Sequence, residues 1–271
     1  MNNLKYCAIA LIGFLSLGGL LSCGLETDYY IDYIPQSVYN DTNSVIVLPS
    51  SGAEGYSTYF DNFIIFYRVY ISGENPPTGN NLRTDSNARS AINATLNSDY
   101  IALDDFTNLT STTVNTSNLE NTFSNRRYFL LALENADINT VLGSASLGGT
   151  LVIFFDTNNG VQPTLTINGV AYTLRRAVEN RNLNLYDLNP QPDRRFLNHP
   201  DLYNAANATN ELNADVATTS ATAAQYYTFV SMYIAARGRS DEMPPRTIYS
   251  QPTFIGIFSL AEAFGGGGGQ Q

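Results

Sequence analysis

The stretch NFIIFYRVYIS, residues 62–72, decides the fold class of this chain. Apolar or aromatic side chains stand at every second position from Phe63 to Ile71, which is the period of a β-strand, while Arg68 falls on the opposite face. The following GENPPTGNN ends the strand with glycines and prolines. The pattern predicts a strand in the centre of a sheet.

Further segments carry the same strand signal, because they are short, rich in Val, Ile, Phe and Tyr, and bounded by turn residues. They lie at 45–48, 128–133, 150–155, 226–237 and 253–260. The last two are apolar on both faces, which indicates largely buried strands.

The sequence PTLTINGVAYTL predicts a β-hairpin. Asn168 and Gly169 supply the two positive-φ positions of a type I′ turn, which is the usual two-residue hairpin turn. That turn pairs Ile167 with Val170 and Leu165 with Tyr172 on one face, and we expect this face to be buried.

Other regions lack strand signals. Residues 85–96 have apolar positions three and four apart after a possible cap at Asp85 or Ser86, so they predict a short helix that stops near Asn97. Residues 107–125 are rich in Thr, Asn and Ser, and we interpret them as a long surface loop.

Together these elements favour a mainly β fold: an antiparallel β-sandwich, immunoglobulin-like or fibronectin-like, with one or two short inserted helices. We place this domain at residues 44–263, followed by a flexible Gly-rich tail at 264–271. The chain's 271 residues and 44% hydrophobic content suffice for one sizeable core.

The first residues are typical of a secretory signal peptide. Lys5 provides a positive charge, and the apolar run that follows to Leu21 is too short to span a membrane comfortably. Residues 20–23, LLSC, then resemble the lipobox of bacterial lipoproteins, with a leucine three places before the cysteine and a small serine directly before it.

The lipobox resemblance implies cleavage after Ser22, so that residues 1–22 are removed, and a lipid thioether on Cys23. Residues 23–43 would then be the lipidated N-terminus and tether. The chain has only 2 cysteines, Cys7 and Cys23, so the mature domain would have no thiol for a disulfide, a nucleophile or a zinc site. We expect a membrane-anchored protein that does not span the membrane.

The charge and the lysine content of the chain argue against nucleic-acid binding and against lysine-based catalysis. With 14 Lys and Arg against 24 Asp and Glu, the formal charge is −10, which disfavours a nucleic-acid partner. Lys5 is the only lysine, so the mature chain has no lysine for Schiff-base or general-base catalysis.

No segment carries a recognisable catalytic or metal motif. His199 is the only histidine, and no G-x-S-x-G motif accompanies it. DTNNGVQP, from Asp156, departs from a calcium loop because its glycine comes one place early. The acidic pairs 104–105 and 241–242 are interpreted as solvated loop charge. We therefore predict no catalytic residues, no metal ligands and no cofactor, with Cys23 as the one modified residue.

The arginine pairs 126–127, 175–176 and 194–195 leave two interpretations open. They could gather into an anion site, because guanidinium groups bind anions through several donors. The favoured interpretation is that each pair marks a strand end or contacts an acidic neighbour.

NFIIFYRVYISG, YYTFVSMYIAARG and IYSQPTFIGIFSL resemble segments of spirochaete-type lipoproteins, whose domains tend to be β-sandwiches. The resemblance carries over no functional residue. For the lipid-anchored protein we expect a cell-envelope location, with the outer membrane favoured over the inner one and the domain either periplasmic or surface-facing.

The resulting expectation is a lipid-anchored envelope protein with a binding or structural role and no catalysis. A small-ligand-binding lipoprotein that serves a transporter is the first alternative, and a hydrolase with an unrecognised site is the second. A concave aromatic pocket with an arginine would favour the former, and a buried His199 beside Ser and Asp would favour the latter.

Overall fold

Two β-sheets make up most of the described part of the chain. The computed structural model describes residues 38–40, 44–47, 60–72, 82, 84–107, 119–143, 151–154, 163–167, 169–177, 216–218, 227–241 and 243–259. Every strand pairing in this part is antiparallel except that between β9 and β3. The mainly β prediction is therefore confirmed.

The strands differ greatly in length. They are β1 (Val38–Asn40), β2 (Ser44–Val47), β3 (Phe60–Ser72), β4 (Phe129–Leu130), β5 (Ala132–Leu133), β6 (Leu151–Phe154), β7 (Thr164–Ile167), β8 (Val170–Arg175), β9 (Val216–Thr218), β10 (Tyr227–Arg239), β11 (Thr247–Tyr249) and β12 (Thr253–Ser259). The segments predicted as strands all contain one.

Six strands form each sheet. The first, here called the short sheet, has the order β1-β2-β6-β7-β8-β5. The second, the long sheet, has the order β11-β10-β3-β4, with β12 also paired to β10 and β9 to β3. Because β3 pairs with β10, β4 and β9, its predicted central position is confirmed.

Four helices lie in the described part, where one or two were predicted. They are α1 (Ser86–Ile92), α2 (Ala94–Thr107), α3 (Leu119–Asn125) and α4 (Ile138–Gly143). Asp85 caps α1 as expected, since its Oδ1 accepts hydrogen bonds from the backbone N–H groups of Asn87 and Ala88.

The predicted helix end near Asn97 is wrong. The helix stops at Ile92, and a second one runs from Ala94 to Thr107. Asn93 makes the junction: its backbone is extended, and its Oδ1 accepts hydrogen bonds from the N–H groups of Thr95 and Leu96 at 2.9 and 3.3 Å. A single asparagine thus ends one helix and caps the next.

The prediction of a loop across residues 107–125 is also wrong at its C-terminal end. Residues 119–125 form α3, and the side chains of Leu119 and Phe123 are fully buried. These two residues stand four apart and so share one face of the helix. The polar residues around them occupy its other faces, which is why composition alone suggested a loop.

The hairpin prediction is confirmed in its register. Ile167 pairs with Val170 and Leu165 pairs with Tyr172, and Gly169 has a φ of +81°, as a type I′ turn requires. Burial differs between the two strands, because Leu165 and Ile167 of β7 are buried whereas Val170 is 52% exposed.

Alternation along β3 and β10 divides the interior into two regions. One set of side chains joins short-sheet residues in a single cluster, here called the shared core. Its main members are Phe63, Ile65, Tyr67, Val69, Val230, Met232, Ile234, Ala236, Leu151, Ile153, Leu165, Ile167 and Leu174. The alternate set packs against helices α1 to α3. Arg68 was expected on the face opposite Phe63, and it lies there, 7% exposed.

Candidate functional site

The helix-facing side of the long sheet contains a buried polar cluster, here called the Asp99 network. Its members come from β3, α2, the segment after α3, and β10. They are Arg68, Tyr70, Asp99, Arg126, Tyr128 and Ser231. The network joins elements that are up to 103 residues apart in sequence.

Asp99 is the centre of the network. Its Oδ2 accepts a hydrogen bond from Arg68 Nη1 at 2.5 Å and another from the Tyr70 hydroxyl at 2.7 Å. Its Oδ1 accepts one from Arg126 Nη1 at 3.2 Å. The Asp99 side chain is only 5% exposed, and these donors replace the water that a buried carboxylate loses.

Two guanidinium groups share this one carboxylate. Arg68 is almost as buried as Asp99, whereas the Arg126 side chain is 33% exposed. The cluster therefore carries one excess positive charge, and Arg126 is the member whose charge water partly solvates. The charges of the two buried groups, Arg68 and Asp99, thus neutralise each other, and the excess charge lies on the partly exposed Arg126.

The turn after α3 positions Arg126. The N–H of Tyr128 donates to the Phe123 carbonyl at 2.9 Å, and the N–H of Arg127 donates to the Ser124 carbonyl at 2.8 Å. With Arg127 at a φ of 56°, these bonds form a Schellman motif, completed by the edge-to-face contact of Phe123 with Tyr128. The motif turns the Arg126 carbonyl toward Arg68, whose Nη1 donates to it at 2.6 Å.

A chain of hydroxyl groups extends the network into β10. The Tyr70 and Tyr128 oxygens lie 3.1 Å apart, and the Tyr128 oxygen lies 3.0 Å from Ser231 Oγ. Each hydroxyl has one proton, and Tyr70 donates its own to Asp99. The consistent orientation therefore has Tyr128 donating to Tyr70 and Ser231 donating to Tyr128.

Tyr70 and Tyr128, the two tyrosines of this hydrogen-bonded chain of hydroxyl groups, stay protonated. Burial raises the pKa of the Tyr128 hydroxyl above its ordinary value of 10.0, and it raises the pKa of Tyr70 in the same direction, with Tyr128 and Asp99 adding to the effect. They act as neutral hydrogen-bond donors throughout the physiological pH range.

The geometry of the Asp99 network suits fixation of structure. Ser231 is 1% exposed and Tyr128 is 3% exposed, so neither hydroxyl faces solvent. The bonds of Arg68, Tyr70 and Ser231 tie α2 and the segment after α3 to the long sheet. The bond from Arg126 to Asp99 ties the turn after α3 to α2. Buried hydrogen-bond networks specify one arrangement of the elements around them. One buried donor of this network, Arg68 Nε, has no hydrogen-bond partner among the described residues.

In two of the three arginine pairs, one member contacts an acid, in line with the favoured interpretation. Arg126 contacts Asp99, and Arg175 forms an ion pair with Glu134 beside the short sheet. Its neighbour Arg176 is fully buried. The pair at 194–195 lies outside the described residues.

Several other predicted residues lie outside the described part. These are Cys7, Cys23, Asp156 and His199. Of the acidic pairs, residues 104–105 belong to α2 rather than to a loop, and Asp241 is exposed in the turn after β10.

Sequence reasoning missed Asp99 as a central residue. One signal was available: Arg68 interrupts an otherwise apolar central strand, and a buried guanidinium needs a carboxylate or carbonyl partner. The sequence does not show which of 24 acidic residues provides it, since α2 reaches Arg68 only through tertiary packing.

The described ranges show neither a metal site nor a membrane-spanning helix. They contain no group of three or more His, Cys, Asp or Glu side chains that could hold a metal ion. None of their helices is long and apolar enough to cross a membrane.

Comparison with protein families found no family model that matches the chain, and neither curated proteins nor solved structures gave a significant match.

Proposed function

We propose that this chain is a lipid-anchored protein of a bacterial cell envelope, with a binding or structural role and no catalysis. The observation that carries the proposal is the sequence LLSC at residues 20–23, directly after a positively charged and then apolar leader. The Cys23 thiol is the group that would receive the lipid.

Cysteine usage supports the anchor. The other cysteine, Cys7, lies in the leader, so once residues 1–22 are removed a disulfide role for Cys23 would need a thiol from a second molecule. Acyl chains contribute about 0.8 kcal/mol per buried CH₂ group. Two or more chains on Cys23 would hold the domain at a membrane surface while the polypeptide stays in water.

We further propose that the two sheets form an antiparallel β-sandwich. The shared core supports this arrangement, because it combines buried residues of β3 and β10 with buried residues of β6, β7 and β8. Sheets that bury one common apolar face are the basis of sandwich folds. The helices then cover the opposite side of the long sheet.

The Asp99 network supports a non-catalytic role. It is buried, and its hydroxyl groups form hydrogen bonds between structural elements. A domain fixed in this way is suited to present a constant surface to a partner. Preorganised surfaces bind with a lower ordering cost.

The anchor is tested by metabolic labelling with radioactive palmitate in a bacterial host. We expect label on the wild-type chain and on Cys7→Ala, and none on Cys23→Ala. Cys7→Ala is the matched control, because it removes the other cysteine of the chain, which lies in the leader. Label that persists in Cys23→Ala would contradict the proposal.

Protease treatment of intact and permeabilised cells tests the location. Cleavage on intact cells, with release of Cys23→Ala into the medium, indicates a surface-exposed lipoprotein. Cleavage only after permeabilisation places the domain on the periplasmic side of the outer membrane. Fractionation of wild type and Cys23→Ala alike into the soluble pool would contradict membrane anchoring.

A further inference from the structure

The connection between β10 and β11 presents a methionine to solvent. The N–H of Ser240 donates to the Arg246 carbonyl, and the N–H of Arg246 donates to Ser240 Oγ, both at 2.9 Å. These bonds close the hairpin below its tip. At the tip, Met243 is 99% exposed, so its side chain makes no packing contribution.

A second methionine in the same strand system has the opposite environment. Met232, on β10, is fully buried in the shared core. Met232 and Met243 are the only sulfur-containing residues after Cys23. An oxidant that reaches the folded domain therefore meets one accessible sulfur atom there, the thioether of Met243.

We propose that Met243 is a site of oxidative modification, at which hydrogen peroxide converts the thioether to a sulfoxide. The sulfur loses two electrons and forms a bond to one peroxide oxygen. The O–O bond breaks, and the other oxygen leaves as water after proton transfer. Susceptibility follows exposure of the sulfur, and the product is reducible by methionine sulfoxide reductases.

The net charge of the chain favours an uncharged oxidant. Asp241 and Arg246 are both exposed near Met243, so the nearby charges oppose one another, but the whole chain has a formal charge of −10. Anionic oxidants are repelled at long range by this net charge, whereas hydrogen peroxide is neutral.

Modification at Met243 leaves the fold intact. The bonds that close the hairpin involve Ser240 and Arg246, and no core contact depends on the Met243 side chain. Sulfoxide formation thus changes the polarity of an exposed tip, whereas the same reaction at Met232 would place a polar oxygen in the shared core.

The experiment treats the full-length folded chain with graded hydrogen peroxide and quantifies oxygen addition by peptide mass spectrometry. We expect Met243 to be oxidised about tenfold faster than Met232, or more. The oxidised protein should unfold on heating at the same midpoint as the untreated protein. Met243→Leu should show no oxidation at low peroxide, and in guanidinium the two methionines of the wild type should react at similar rates.

Three results would overturn the proposal. One is equal oxidation of Met243 and Met232 in the folded chain, and another is resistance of Met243 in the folded chain. The third is a lower unfolding midpoint in protein oxidised only at Met243, which would show that the side chain supports the fold.

Discussion

The two faces of the long sheet are buried by different means. Toward the short sheet, the side chains from β3 and β10 are almost entirely aliphatic or aromatic, and the Tyr67 hydroxyl accepts a hydrogen bond from the Ala177 N–H. Toward the helices, the same strands contribute Arg68, Tyr70 and Ser231 to the Asp99 network.

This difference separates two kinds of interior. Apolar contacts are non-directional and add up in small amounts over many atoms, so the shared core depends on volume. A buried charge depends on a few bonds of fixed geometry, and the loss of one partner leaves the others desolvated. On the helix-facing side, the exchange of a single polar atom should therefore change the free energy of unfolding strongly. In the shared core, the change should instead follow the number of carbon atoms removed.

The largest expected effect is that of Asp99→Asn. This substitution keeps the shape of the side chain and removes the charge that balances Arg68, so we expect a loss of about 3 to 5 kcal/mol in the free energy of unfolding. Urea denaturation measures it. Asp241→Asn, at an exposed acid, is the matched control and should change stability by less than about 0.5 kcal/mol. Equal losses in the free energy of unfolding for Asp99→Asn and Asp241→Asn would contradict a special stabilising role of the buried acid.

Ile234→Ala tests the shared core. Ile234 is 1% exposed and stands opposite Ile65, so truncation removes three carbon atoms and leaves a cavity. We expect a loss of about 3 kcal/mol, and about 1 kcal/mol for the conservative Ile234→Val. A steep dependence on volume sharpens the contrast with Asp99→Asn, which changes almost no volume. A loss under about 0.5 kcal/mol for Ile234→Ala would show that the shared core does not depend on the volume of the Ile234 side chain.

Tyr128→Phe probes the hydroxyl chain with one atom removed. The change deletes the group that links Tyr70 with Ser231, and it keeps the ring that contacts Phe123. We expect a loss of about 1 to 2 kcal/mol, because the buried Ser231 hydroxyl loses its partner. In the double variant with Ser231→Ala the additional loss should be small, as thermal or urea unfolding can measure. Additive losses would contradict the link.

The smallest effect concerns the ion pair of Glu134 with Arg175. The hydrogen bond from Arg175 lowers the pKa of the Glu134 carboxyl below its ordinary value of 4.5. Its stabilising contribution is therefore present above pH 4.5 and is lost as the pH falls through the lowered value. Stability measured from pH 7 to 3 should fall less steeply in Glu134→Gln than in the wild type. Identical pH profiles would show that the pair contributes nothing.

Prediction from sequence succeeded where local chemistry determines structure. Alternation fixed β3 as a strand, and the Asn168–Gly169 turn fixed the register of β7 and β8. Each of these two signals consists of residues that are close together in the sequence, so tertiary contacts did not need to be known.

Prediction failed where long-range packing decides. Residues 119–125 are polar in composition. α3 forms because Leu119 and Phe123 pack against the helix-facing side of the long sheet. There Phe123 stacks on Phe66, with ring centroids 4.2 Å apart. The pairing of Arg68 with Asp99 spans 31 residues, and no local pattern specifies it. The helical continuation to Thr107 is a different case, because the signal is local: Asn93 caps the second helix through the N–H groups two and three residues further on.

A double-mutant cycle between Arg68 and Asp99, measured by urea denaturation, tests the central structural claim most directly. The variants are Arg68→Met, Asp99→Asn and the double substitution. If the two groups balance each other in the interior, the double variant loses less stability than the sum of the single losses, with a coupling of about 1 to 3 kcal/mol. Additive losses would mean that the charges are stabilised separately, and that the Asp99 network does not hold the helices to the sheet.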